Sequence, residues 1–219
     1  MSTDALLSPP GDEAVKRNAV RAELGVSVAG IVLAAGRATR MGGSKVLLPI
    51  GGRPMVQHVV EASLASKTTQ TVLVVGHDAE AVAKTAEAWP VSVTVNRDYA
   101  EGMSTSLRAG LLAADPGCDG VLFLLGDQPF VTTALLDALI EEFARSRKAV
   151  VRPLVGARPA NPVLVRADLF PEILEEYGDV GARRVIERHS GDICLLPVSD
   201  QHLCVDIDSP EEYEKERNA

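Results

Sequence analysis

The chain has 219 residues, 46% hydrophobic and 24% charged, enough for one globular domain with a sizeable core. Its net charge of −8 argues against a nucleic-acid groove or an anionic membrane surface as the main partner. Aromatic residues make up only 4%, so the core must be built from Val, Leu, Ala and Ile, which suits a buried parallel sheet covered by helices.

The N-terminus carries early acids and no apolar signal core, and no run reaches the ~18 apolar residues of a membrane span. The expectation is a cytoplasmic protein whose residues 1–26 form a polar leader, either a flexible tail or a loosely attached helix, and whose single domain covers 27–219. Val28–Ala35, Thr71–Val75, Val91–Val95 and Gly120–Leu125 read as short strands, apolar on both faces. Met55–Ser66, Ala79–Ala88, Thr105–Ala114 and Thr132–Arg147 read as the intervening helices. Strand–helix alternation at this spacing builds βαβ units. Further on, Ala149–Arg152 and Pro162–Val165 read as strands, and Asp168–Tyr177 and Val180–His189 as helical. Ile193–Pro197 and Leu203–Ile207 read as closing strands, and Ser209 caps a final helix with Glu211 and Glu212 in its first turn. The fold class is therefore α/β, a three-layer α/β/α sandwich on a mostly parallel, Rossmann-like sheet. Ligands of such sheets sit at the carboxyl ends of the strands. Cys118, Cys194 and Cys204 form no metal-binding spacing and read as free thiols.

The stretch LAAGRATRMGGSKVLLP, residues 33–49, follows the first strand. It fails the GxGxxG pattern, because Gly36 is followed by Arg37 and Ala38, and it fails Walker A, because Gly42 and Gly43 lead to Ser44-Lys45-Val46. A loop with Gly36, Gly42 and Gly43 still frees backbone N–H groups for an anion. Arg40 can grip two phosphate oxygens, and Lys45 adds a point charge. Asp127 directly follows the strand ending in Gly126. A carboxylate there either holds a hard cation that bridges phosphates or caps the turn before Pro129. Asp208 has the same two readings, as a metal ligand or as part of the turn before the last helix, with Asp206 on its strand face.

The pattern Leu33-Ala34-Ala35-Gly36, Arg40-Met41-Gly42 and Lys45 resembles the signature of nucleotidyltransferases with a glycosyltransferase-A-like fold, nearest to the molybdenum-cofactor cytidylyltransferases and guanylyltransferases. Pro49–Pro54, Asn96 with Gly102–Ser106, Gly126-Asp127-Gln128-Pro129, Asn161-Pro162, Gly178-Asp179-x-Gly181-Ala182-Arg183 and Asp206–Pro210 extend the resemblance over residues 28–215. It implies the nucleotide-diphospho-sugar transferase type of sheet. It also implies transfer of CMP from CTP to molybdopterin phosphate with release of pyrophosphate, and delivery of the product to an apo molybdenum hydroxylase. In those terms Arg40, Lys45 and Asp127 are catalytic, and Asp127 and Asp208 hold Mg²⁺ or Mn²⁺. Leu33, Ala34, Ala35, Gly36, Gly42, Asn96, Gly102 and Ser104 bind the nucleotide; Asn161, Asp179 and Arg183 face the second substrate. Ala35 in place of a glycine favours CTP over GTP, a methyl group crowding a purine. Ala160-Asn161-Pro162 stands where the family often has G-H-P, a departure on the second-substrate side. The rivals are a guanylyltransferase, a sugar- or alcohol-phosphate nucleotidyltransferase, and a non-catalytic carrier of the finished cofactor.

Overall fold

The computed structural model describes residues 12–37 and 44–217. In chain order the elements are α1 (Asp12–Leu24), β1 (Val28–Ala34), β2 (Pro49–Ile50), β3 (Arg53–Pro54), α2 (Met55–Ala65), β4 (Gln70–Val75), α3 (Ala79–Lys84), β5 (Ser92–Val95), α4 (Met103–Ala113) and β6 (Gly120–Leu125). They continue with α5 (Thr133–Ser146), β7 (Val150–Val155), β8 (Arg158–Pro159), β9 (Val163–Arg166), α6 (Phe170–Leu174), α7 (Arg183–Arg188), β10 (Ile193–Val198) and α8 (Pro210–Glu216).

The main sheet runs β10-β7-β9-β6-β1-β4-β5, with β8 paired to β7. Neighbours β6, β1, β4 and β5 are parallel, as are β7 and β10, while β9 runs against both β6 and β7. The expected mixed, mostly parallel sheet is therefore observed. Val28 and Val32 of β1 face one apolar layer, with Val56 and Val59 of α2 and Leu136 and Leu139 of α5. Ala29 and Ile31 face the other, with Leu107 and Leu111 of α4, Ile173 of α6 and Val185 of α7. Val and Leu on both faces of one strand demand helices on both sides, and this is what the topology supplies.

Of the two readings of residues 1–26, a helix is present from Asp12 onward as α1, where Val20 is buried, Lys16 Nζ donates to the Leu64 carbonyl at 2.6 Å, and Val26 is fully enclosed. One expectation changes. The closing strand expected at Leu203–Ile207 is instead a 3-10 turn over Gln201–Cys204 followed by irregular chain. The Asp200 side chain accepts from His202 N at 3.0 Å and turns the backbone, and Ile207 N then donates to the Asp127 carbonyl at 3.2 Å rather than to a strand ladder. The Ser209 cap is present as a full capping box with Glu212.

Candidate active site

Three segments meet at the carboxyl edge of the sheet. Gly126 N donates to the Leu33 carbonyl at 3.0 Å, which sets the end of β6 beside the end of β1. The 3-10 turn Lys45–Leu47 brings Lys45 to this edge, and the bond from Ile207 to Asp127 brings Asp208. Lys45 Nζ lies 2.5 Å from Asp127 Oδ2 and also bonds Asp208 Oδ1. Asp127 and Lys45 are largely shielded, at 18% and 19% side-chain exposure, whereas Asp208 is 60% exposed. Burial alone would lower the Lys45 ammonium, but the two carboxylates, Asp127 above all, override it and raise its pKa.

Asp206 shares the cluster with a different partner. Its Oδ1 accepts from Gln128 Nε2 at 2.8 Å, and the Cys204 carbonyl takes the same group at 3.3 Å. Burial and the nearby Asp127 charge push the Asp206 carboxyl up to about 6. Gln128 is the residue the sequence reading passed over. It ties the irregular 204–206 segment to the turn after β6, and its place directly after Asp127 was the available signal.

The donor set suits a divalent cation. Two carboxylate oxygens from different elements point at one position, here taken up by an ammonium group, and Mg²⁺ uses one or two carboxylates plus substrate phosphates. Among the described residues no three His, Cys, Asp or Glu side chains form a complete protein cage.

The nucleotide candidates divide. Arg40 and Gly42 lie outside the described residues. Gly36 is exposed, and among the described residues a Cβ placed there meets nothing within 4 Å. Arg37 lies 5.7 Å from the centre of the Tyr99 ring, a cation–π contact on the β5 side. Leu33 and Ala34 line the strand end, packed into the core. Ala35 is 2% exposed and abuts Gly76, so its methyl belongs to the core and does not reach a base directly. This corrects the crowding argument for CTP.

Asn96 is engaged by the protein itself. Its side-chain amide is committed to the protein: Nδ2 donates to Thr105 Oγ1 at 2.8 Å and Ser106 Oγ at 3.0 Å, and Oδ1 accepts from Asp98 N at 3.0 Å. It braces the turn into α4 and offers no N–H to a base. Ser104 is different. It is 1% exposed, and its hydroxyl has no hydrogen-bond partner in a setting where buried polar groups normally have one. Gly102, at φ +115°, lets residues 178–179 lie against the start of α4, where Ser104 N donates to the Gly178 carbonyl at 3.0 Å.

The second-substrate candidates are not brought together by any hydrogen bond or ion pair. Asp179 Oδ1 accepts from Met103 N at 3.2 Å and so closes the first turn of α4. Arg183, 81% exposed, pairs with Glu187 at 2.9 Å on the surface of α7. Asn161 precedes a cis peptide to Pro162 at the entry to β9.

The family model described as the MobA-like NTP transferase domain matches residues 30–193. The chain belongs to this family. It is 32% identical over 193 residues to the nicotine blue oxidoreductase of Paenarthrobacter nicotinovorans, covering 84% of this chain and 94% of that one. It is 41% identical over 135 residues to the bifunctional protein GlmU of Sinorhizobium fredii, but spans only 29% of that protein's length. Rv0371c of Mycobacterium tuberculosis, solved as a manganese complex, superposes with a TM-score of 0.76 at 25% identity, covering 88% of this chain and 99% of that one. This MobA-like chain is thus a nucleotidyltransferase by family. Among its described residues no helix is long and apolar enough to cross a membrane.

Proposed function

We propose that this MobA-like chain is a cytoplasmic cytidylyltransferase that joins CMP from CTP to the phosphate of molybdopterin, releases pyrophosphate, and passes the dinucleotide cofactor to an apo molybdenum hydroxylase. The observation that carries the reading is the convergence of Asp127 and Asp208 on one cation position beside the glycine loop after β1. The choice of CTP rests on the resemblance of Leu33-Ala34-Ala35-Gly36 to the cytidylyl branch.

The nucleophile is a phosphate monoester, whose second pKa is about 6, so it is already a dianion at neutral pH. No general base is needed. One of its oxygens bonds to the α-phosphorus as the bond to the β-phosphate oxygen breaks, and the electron pair leaves with pyrophosphate. The charges balance without a proton transfer. The chain's task is to bring two anions together in line. Lys45 carries its positive charge on a flexible stem from a fixed turn and can follow phosphate oxygens. By the family resemblance Arg40, Gly36 and Gly42 serve the phosphates. A divalent ion held by Asp127 and Asp208 supplies charge neutralisation at the α-phosphate and the leaving group.

The likeness to GlmU favours a second reading, in which the acceptor is a sugar 1-phosphate. Pyrophosphate release with Mg²⁺, each of the four nucleotides and either molybdopterin or glucosamine 1-phosphate separates the two. The expected result is release with CTP and molybdopterin, reduced on the order of 10²–10³-fold in Asp127→Asn. A preference for GTP would make the chain a guanylyltransferase, and faster turnover of the sugar phosphate would replace molybdopterin. Tight retention of the dinucleotide without any turnover would make it a carrier.

A further inference from the structure

Asp127 and Asp208 reach their common cation position from different supports. Asp127 follows β6 closely, and the bond from Gly126 N to the Leu33 carbonyl fixes that strand end to β1. Asp208 sits on irregular chain between the 201–204 turn and α8, and its side chain is 60% exposed. A ligating geometry on such a segment lasts only where groups behind the ligand fix its backbone.

On one side of Asp208, Ile207 is fully buried and its N–H donates to the Asp127 carbonyl at 3.2 Å. On the other side the support is Glu212. Its Oε2 accepts from Ser209 N at 2.9 Å and from Asp208 N at 2.8 Å. The first bond is that of any capping box, in which the acid of the first turn reaches back to the N-cap N–H. The second is additional to the box and ends on the backbone of the residue that carries the carboxylate. The helix start does not require it, because Ser209 Oγ already accepts from Glu212 N at 3.2 Å.

Glu212 can anchor Asp208 because α8 is itself fastened. Tyr213 Oη donates to the Pro49 carbonyl at 3.1 Å, and Gly51 N donates to the Arg217 carbonyl at 3.1 Å. Tyr213 also packs on a small apolar cluster of Ile50, Met55 and Ile207, separate from the two main layers. Pro49 follows the Lys45–Leu47 turn by two residues. One helix therefore holds Asp208 at its start and, through Tyr213, the chain that carries Lys45.

We propose that Glu212 is a positioning residue for the divalent-ion site, fixing the Asp208 backbone so that its carboxylate converges with that of Asp127. It acts through two backbone N–H groups and supplies no ligand. This rests on the ion site of the proposed function, and not on the identity of the nucleotide or the acceptor.

Mn²⁺ binding without substrate tests it, read from the loss of the free-ion electron paramagnetic resonance signal at a temperature where every protein compared is folded. Glu212→Ala removes both bonds, and the Mn²⁺ Kd should rise about 10–100-fold, the usual effect of removing a group behind a metal ligand. Glu212→Asp keeps the charge but is one methylene shorter, so its Kd should rise as well. Glu212→Gln drops the charge but keeps an acceptor oxygen at full reach, and its Kd should stay near the wild-type value. Glu214→Ala, which removes an exposed acid paired with Arg217 on the same helix, should leave the Kd unchanged. Should Glu212→Ala fail to fold, the Asp and Gln variants decide alone. A helix-capping role and nothing more would lower the thermal midpoint of the Ala and Asp variants and leave their Kd at the wild-type value, which overturns the proposal. Weak binding in Glu212→Gln with normal binding in Glu212→Asp would make the effect one of charge and overturn it too, as would the absence of saturable Mn²⁺ binding to wild type. A set of variants that binds Mn²⁺ in the expected order, in a protein that releases no pyrophosphate from CTP and molybdopterin, would refute the proposed reaction and support the role of Glu212.

Discussion

Adding a single methyl group at Gly102 tests the nucleoside side of the site. The residue has φ +115°, a region that side chains rarely enter. A Cβ there would sit 2.5 Å from Gly178 C, 2.6 Å from Gly178 O and 2.8 Å from Asp179 N. All three are backbone atoms, so no rotamer change relieves the overlap. Two costs add in Gly102→Ala. Holding alanine in that conformation costs about 1–3 kcal/mol. Moving residues 178–179 away breaks the bonds from Ser104 N to Gly178 O and from Met103 N to Asp179 Oδ1, at about 0.5–1.5 kcal/mol each. The sum is about 2–6 kcal/mol of lost stability, a large share of a typical domain's margin. Urea unfolding monitored at Trp89 gives the number directly. In the fraction that remains folded, α4 starts from a displaced turn, so Ser104 shifts and the KM for CTP should rise. A loss below about 0.5 kcal/mol, the size of an ordinary surface substitution, would refute the claim that Gly102 is held by close backbone approach.

Gly36→Ala should behave in the opposite way: among the described residues the added methyl meets no atom within 4 Å, so unfolding should shift by less than about 0.5 kcal/mol, while a loop whose backbone meets phosphates should show a raised KM for the nucleotide. An unaltered KM would remove Gly36 from the phosphate site. Asn96→Ala removes three side-chain hydrogen bonds at a buried turn and should cost about 2–4 kcal/mol in denaturant unfolding; a loss near zero would contradict the bracing role. Burial pushes the Cys118 thiol up to about 11, so the unfolded chain loses this proton first as pH rises. Stability should therefore hold below pH ~8.5 and fall toward pH 11 by up to about 2–3 kcal/mol, and Cys118→Ala should flatten that slope in alkaline unfolding curves. Equal slopes in the two proteins would show that the thiol does not couple to folding.

What could be read from the sequence is what local pattern encodes. The strands around Val32, Val74 and Leu124 are continuous apolar runs and need no knowledge of their neighbours to be recognised. Asp127 was visible because it follows such a run directly, and Ser209 because a capping box occupies four consecutive residues. Other positions take their roles from partners that the local pattern does not display. Asp179 looks like a free acid until Met103, 76 residues earlier, donates to it. Arg183 looks like the start of a phosphate site until Glu187 takes its guanidinium. Asn96 looks like a base reader because nothing local shows that Thr105 and Ser106 fold back onto it. Leu203–Ile207 has strand composition, but hydrogen bonds to Gln128 and Asp127 override it.

The charge balance at the strand ends ties the site to the reaction. Asp127, Asp206 and Asp208 carry −3 when ionised, against +1 from Lys45, which leaves −2 in a partly buried cluster. Buried charge of that size is unfavourable unless something balances it. The chain balances part of it itself: Gln128 supports Asp206, and burial holds that carboxyl near pH 6, where its charge is readily given up. With Asp206 neutral the balance is −1 while Lys45 sits between Asp127 and Asp208, and −2, the charge matched by one divalent cation, without Lys45; these two carboxylates have oxygens aimed at a common point. In the proposed reaction Lys45 has two roles that follow from one position. It neutralises Asp127 and Asp208 within the protein, and its flexible stem would let the same charge follow a phosphate if a divalent ion took its place between the acids.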